Sequence, residues 1–119
     1  EYLTQKGSIV LVSGAPARKT KPGMVTLSVV GGAVENLVRA AALEMSPKRI
    51  NVVSPGIIDT PLFPQEGDER EQFIKNVTSN HSIKRAGTPE EVAAAIIFLI
   101  ENDFVNGTTV DVDGGWLLS

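Results

Sequence analysis

One short apolar run without polar alternation, and the strand pattern that follows it, constrain this chain more than anything else in it. Gly7-Ser8-Ile9-Val10-Leu11-Val12-Ser13 is bounded by Gly7 and Gly14, and Arg49-Ile50-Asn51-Val52-Val53-Ser54 ends at Pro55-Gly56. A strand with one wet face alternates apolar and polar residues, whereas a strand covered on both faces does not. The first run therefore predicts a strand covered on both faces, as in a parallel sheet, and Arg49 to Ser54 a second strand. Thr109-Val110-Asp111-Val112, closed by Asp113-Gly114-Gly115, predicts a third.

Helical patterns lie between these runs. From Val25 to Met45 the residues Val34, Leu37, Val38, Ala41 and Leu43 recur near a 3.6-residue period, and Ser46-Pro47 ends the pattern. Thr88-Pro89-Glu90-Glu91 opens a second helix: Thr88 can cap, Pro89 needs no donor in the first turn, and Glu91 completes a capping box. Its apolar stripe is Val92, Ala95, Ile96 and Leu99. The stretch from Ile57 to Lys84 is long and polar and reads as a functional loop or lid, with a short helix at Asp68 to Val77. Glu1 to Lys6 reads as the tail of an earlier element, and Ala15 to Gly23 as a loop.

The order β-α-β-(lid)-α-β predicts an α/β layer fold in a single domain over residues 1–119. Ligands of such sheets gather beyond the carboxyl ends of the strands, here at Ser13-Gly14, Ser54-Pro55-Gly56 and Asp111 to Gly115. Right-handed crossovers through sequential strands would set both helices on one face.

Composition removes several classes of function. A formal net charge of −3 offers no general attraction to a phosphate backbone, so no nucleic-acid partner is expected. Without cysteine there is no disulfide framework, thiol nucleophile or zinc–thiolate site. No uninterrupted apolar run reaches about 18 residues, and no leader pattern is visible, so the expectation is a soluble cytoplasmic protein with no membrane partner.

Five blocks, taken together, resemble the second half of short-chain dehydrogenase/reductases. They are the strand at 7–13, the helix Ala33-Val34-Glu35-Asn36-Leu37-Val38-Arg39-Ala40, Arg49-Ile50-Asn51-Val52-Val53-Ser54-Pro55-Gly56, Arg85-Ala86-Gly87-Thr88-Pro89-Glu90-Glu91-Val92-Ala93, and Asn106-Gly107-Thr108 to Asp113-Gly114-Gly115. The resemblance implies the last three strands of a doubly wound, Rossmann-like nucleotide-binding sheet with flanking helices. It also implies that the last helix crosses to the opposite face. In that family the cofactor is NAD or NADP. The stretch Pro55-Gly56-Ile57-Ile58-Asp59-Thr60 is similar to the family's P-G-x-V-x-T, which implies that Pro55, Gly56, Ile58 and Thr60 lie at the nicotinamide. A plain strand-to-loop turn explains the same Pro-Gly.

The resemblance also shows what this chain lacks. No G-x-x-x-G-x-G or G-x-G-x-x-G turn occurs, so the main anchor for a pyrophosphate is missing and tight cofactor binding by this chain is not expected. The family relays a proton through a Tyr, a Lys four residues later and an upstream Ser. Alignment on Ala33-Val34-Glu35 puts Leu27, Gly31 and Gly14 at those positions. The only tyrosine is Tyr2, and no lysine lies between Lys21 and Lys48. No catalytic residue is therefore assigned.

Other candidates have plainer readings beside them. Arg18, Lys19 and Lys21 could bind an anion or simply be solvated. His81, the single histidine, could be a substitute acid or base but has no identified partner. Asp59, Glu66, Asp68 and Glu69 lack calcium-loop spacing and read as solvated acids. The sequons at Asn76, Asn80 and Asn106 read as chance.

Three functions compete. One is a portion of a nicotinamide-dependent oxidoreductase. The second is a non-catalytic module acting through oligomerisation or protein binding. The third is an enzyme of the same fold with altered chemistry, using His81 or a cofactor's own reactivity. An unpaired strand edge and exposed aliphatic surface predict a homo-oligomer, or contact with a missing N-terminal half.

Overall fold

The computed structural model describes residues 3–119. Strand β1 (Ser8–Val12) leads through a 3-10 turn at Ala15–Ala17 into helix α1 (Val25–Glu44), and β2 (Arg49–Pro55) follows. Helix α2 (Gly67–Val77), helix α3 (Pro89–Glu101), strand β3 (Thr109–Val112) and a closing turn at Trp116–Leu118 complete the order. Glu1 and Tyr2, part of the expected tail of an earlier element, lie outside the described residues, and Leu3 to Lys6 form bends and turns rather than a helix or strand.

The strands are parallel, in the order β1-β2-β3, with Ile9 beside Ile50 and Val53 beside Val110. This is the expected α/β sheet. The middle strand is the centre of the core, where Val52 and Val53 are fully buried on opposite faces. On one face Val38 and Ala42 of α1 close over Ile50 and Val52, with Ile9 and Leu11 beside them. On the other, the carbonyl of Leu99 in α3 accepts from Ser8 Oγ and from Arg49 Nη1, the latter at 2.8 Å. Successive strand residues face opposite sides, so α1 and α3 cover opposite faces. Crossovers of a single hand would have put both helices on one face, so the arrangement follows the resemblance. Full burial of Leu99, Val38 and Val52 contributes about 1.5–3 kcal/mol each.

Helix α3 begins as its sequence dictates. Thr88 Oγ1 accepts from the Glu91 N–H, and the Glu91 carboxylate accepts from the Thr88 N–H at 2.8 Å. Leu99 is buried, while Val92, Ala95 and Ile96 are half-buried in the expected stripe. Helix α1 departs from expectation. Its inward face is Gly31, Glu35, Val38 and Ala42, whereas Leu37 and Leu43 point to solvent. The period was real, but the helix is apolar nearly all round, so the pattern did not single out the inner face. By length and composition alone, α1 is apolar enough to cross a membrane. In this fold it packs on the sheet through one side only.

One side chain makes most of the polar ties of the loop from 59 to 65. Arg70 of α2 donates to the carbonyls of Thr60, Phe63 and Gln65 and to the Asp59 carboxylate. Phe63 meets Phe73 with ring centroids 5.2 Å apart. The loop from 59 to 65 is thus tied to α2 at both its polar and its apolar groups.

Candidate functional site

A cleft of about 560 Å³ opens beyond the carboxyl ends of β1 and β2, where the topology predicts a ligand. Ser13, Gly14 and Pro16 line it after β1, and Pro55, Gly56, Ile57, Ile58 and Thr60 line it after β2. Leu27 and Gly31 come from α1, Leu62 and Phe63 from the pinned loop, and Trp116 from the chain's last turn. All four sequence-predicted cofactor positions therefore meet in one place. So do Gly14, Leu27 and Gly31, the three positions where the resemblance puts a serine, a tyrosine and a lysine.

Ile58 is held by a parallel bridge to Gly87, in which Gly87 N–H donates to Ile57 and Asp59 N–H donates to Gly87, each at 2.9 Å. In parallel pairing the residue between those two bonds turns its own N–H and C=O to the other side. The Ile58 peptide is therefore free to face a ligand. Gly56 has to be glycine, since a Cβ there would come within 2.7 Å of the Asp113 Cα. Pro-Gly is thus more than punctuation here: it lets the β2 end pass against the β3 end.

The chemistry of the α1 wall differs from a proton relay. A Cβ at Gly31 would approach the Ala17 Cβ to 2.9 Å, because the Ala15–Ala17 turn packs directly onto the helix. That turn occupies the space into which a longer side chain at 31 would have to start. Leu27, three-fifths exposed, offers no titratable group. Ser13 does reach the cleft, but its Oγ donates to Glu35 Oε1 at 3.0 Å.

Glu35 is the residue the sequence reading missed. It is almost fully buried and, besides Ser13, meets Arg18 Nε at 3.2 Å. Arg18 in turn pairs with Asp111 of β3, which, with Glu35, raises the guanidinium's pKa. The available signal was a lone acid at four-three-four spacing with Gly31, Val38 and Ala42, on the inner face of an otherwise apolar helix. The basic loop residues are therefore not a free anion site: Arg18 is spent on carboxylates, and Lys19 Nζ donates to the Trp116 carbonyl at 3.1 Å. Lys21 Nζ sits 5.4 Å from the centre of the Trp116 ring.

His81 is buried and stacks on Trp116, with centroids 5.6 Å apart and planes at 17°. Burial, helped by the charge of Lys21, pulls its pKa below the ordinary imidazole value. It is packing behind the cleft wall and is not among the cleft-lining residues. Asp59 belongs to the Arg70 clamp, and among the described residues no cluster of carboxylates or imidazoles could hold a metal. Asn106 is structural: its Oδ1 accepts from the Ile50 N–H at 2.9 Å.

A nicotinamide cofactor fits this site only in part. The cleft and the free Ile58 peptide suit a carboxamide, but the turn after β1 is Gly14-Ala15-Pro16-Ala17, whose proline supplies no N–H to a phosphate.

Comparison with known proteins agrees with this geometry. Residues 1–117 match the family model for enoyl-(acyl carrier protein) reductase. The chain is 40% identical over 117 residues to glucose 1-dehydrogenase of Gluconobacter oxydans, covering 95% of this chain and 44% of that protein. It is 34% identical to short-chain dehydrogenase/reductase ATR9 of Stachybotrys chlorohalonatus, covering 95% and 45%. A crystal structure of a small-chain dehydrogenase in complex with NADPH superposes with a TM-score of 0.91 at 34% identity, covering 99% of this chain and 54% of that one. The chain thus spans a little under half the length of these curated relatives. Sheet, cleft and matched residues agree, and the chain belongs to the short-chain dehydrogenase/reductase family.

Proposed function

We propose that these residues form the half of a short-chain dehydrogenase/reductase fold that lies beyond the glycine-rich turn, and that they carry no proton relay. The observation that carries this reading is the packing of Gly31 against Ala17, with Leu27 beside it in the cleft wall. General acid catalysis requires a titratable group within hydrogen-bond reach of the reacting oxygen, and an aliphatic side chain and a bare Cα offer none. Ser13 remains, but its proton is directed to Glu35 rather than into the cleft. Pro55, Gly56, Ile58 and Thr60 are then the remnant of a nicotinamide subsite, too few to bind NAD or NADP tightly without a phosphate anchor. Titration with NADH and NADPH, followed by assay against simple ketones and aldehydes, tests this. The expected result is weak cofactor binding and no turnover, and a micromolar dissociation constant with carbonyl reduction would overturn it. Comparing the intact mass of the purified protein with its open reading frame tests the half-fold reading separately.

A second reading, a non-catalytic module that works by association, is favoured by the outer face of α1. Val25, Val29, Leu37 and Leu43 are each more than half exposed there, and β1 presents an edge with no strand beside it among the described residues. A helix apolar on all sides is normally covered on all sides. Self-association through this face is the form such a module would take.

A further inference from the structure

We propose that the stack of His81 on Trp116 is an acid-released latch, in which protonation of the imidazole frees the closing turn at Trp116–Leu118. The latch needs no cofactor and no substrate, so it stands apart from the reading that the chain carries no proton relay.

The turn is hinged at one end and fastened at few points. Gly114 and Gly115 both hold left-handed backbone, with φ of 62° and 79°, so the chain can pivot there without a steric penalty. Asp113 caps the turn, its carboxylate accepting from the Gly115 and Leu117 N–H groups, each at 2.9 Å. The Ile83 N–H donates to the Gly114 carbonyl at 2.9 Å, and Lys19 Nζ to the Trp116 carbonyl at 3.1 Å. The rest of the hold is the buried Trp116 ring on His81, with centroids 5.6 Å apart. The indole N–H is itself buried with no partner among the described residues. Such a donor is costly to bury, and water satisfies it once the turn swings out. Packing therefore keeps the turn closed, and the packing partner is titratable.

Three charged groups act on the imidazole from two other elements: Lys21 and Lys19 on the loop after β1, and Asp113 at the end of β3. An indole face attracts a cation, but Lys21 already lies over this one, 5.4 Å from the ring centre. Asp113 favours the protonated ring, yet its oxygens are engaged in capping the turn. Burial opposes the charge most strongly and the Lys21 ammonium adds to it, so the closed turn keeps His81 neutral. In the released turn the ring regains water and the ordinary imidazole value of about 6.5. A group whose pKa is lower in the closed state takes up a proton on opening, so acid favours release. Trp116 lines the back of the cleft, and release removes that part of its wall.

Trp116 is the only tryptophan, so its fluorescence reads the turn directly. Taking the purified chain from pH 8 to pH 5 should shift its emission to the red and raise the acrylamide quenching constant at least about twofold, with far-UV circular dichroism unchanged. Protection of the Ile83 and Leu117 amides against exchange should fall over the same range. His81→Phe keeps an aromatic ring against the indole but carries no proton, and should abolish these changes. Lys21→Gln relieves the closed imidazolium of a like charge, and should make the change at pH 5 smaller. An unchanged quenching constant, an equal rise in His81→Phe, or loss of circular dichroism in step with the fluorescence would overturn the proposal. Should His81→Phe fail to fold, Lys21→Gln decides, since a change as large as that of the unmutated chain would equally overturn it.

Discussion

At Gly31 two opposing effects can be weighed. Replacing glycine by alanine inside a helix gains about 1 kcal/mol of propensity, but a Cβ 2.9 Å from that of Ala17 forces the Ala15–Ala17 turn to move. Overpacking of that kind costs about 1–3 kcal/mol. Gly31→Ala should therefore be neutral to about 2 kcal/mol destabilising in urea unfolding, and a clear stabilisation would show that the turn does not rest on α1. It follows that restoring the family's residues as Leu27→Tyr with Gly31→Lys should not confer carbonyl reduction, since the lysine cannot enter without displacing the turn that Arg18 anchors to Glu35 and Asp111. An NADPH oxidation assay on the double variant checks it. Two other residues give the stability curve its shape. His81 has a pKa lowered chiefly by burial, so the unfolded chain binds its proton first, and stability should fall as pH drops below about 6.5. His81→Phe should flatten that limb. Glu91, held down to about 2 chiefly by Arg85 and then by the Thr88 N–H, contributes fully above about 4.5 and loses its contribution as pH falls towards 2. Glu91→Gln should remove the second limb and leave the first.

At the scale of elements, what was legible in the sequence was whatever is decided locally. The capping box of α3 needs only Thr88 and Glu91, three residues apart, and it formed as read. Thr88→Ala should cost about 1 kcal/mol in thermal or urea unfolding. The run at 7–13 became a strand because lack of alternation is a property of that run alone. The inner face of α1 was not legible, because the helix is apolar nearly all round and the polar residue on that face is the buried Glu35. The Glu35–Arg18–Asp111 tie was hidden for another reason. Arg18 and Asp111 are 93 positions apart, and only the sheet brings them together. The Pro55, Gly56, Ile58 and Thr60 stretch could be placed from the resemblance, while Trp116, the cleft's back wall, had no local signal. The clamp on the lid was likewise invisible. Arg70→Ala removes every bond that guanidinium makes to the 59–65 loop, and should raise amide exchange there while leaving β2 unchanged.

For the whole molecule, association is the property most exposed to test. The outer face of α1 and the free edge of β1 should make the chain self-associate at high concentration, seen as a mass above that of one chain in sizing with light scattering. Leu37→Lys with Leu43→Lys should shift the population towards the single chain without unfolding it, since both side chains already face solvent. A monodisperse single chain in the unmutated protein would refute the association reading.

Arg49 carries one last consequence. Its guanidinium, sealed under the end of α3, donates to the carbonyls of Leu99, Ile100 and Val105. The first two are among the helix's final oxygens, at the negative end of its dipole, and Val105 lies in the loop just beyond it. The helix therefore finishes on a side chain that belongs to the middle of the sheet. Fraying from that end would strand a cation in the interior, so the last turn of α3 should open only when the central strand does, and deuterium should enter both at one rate.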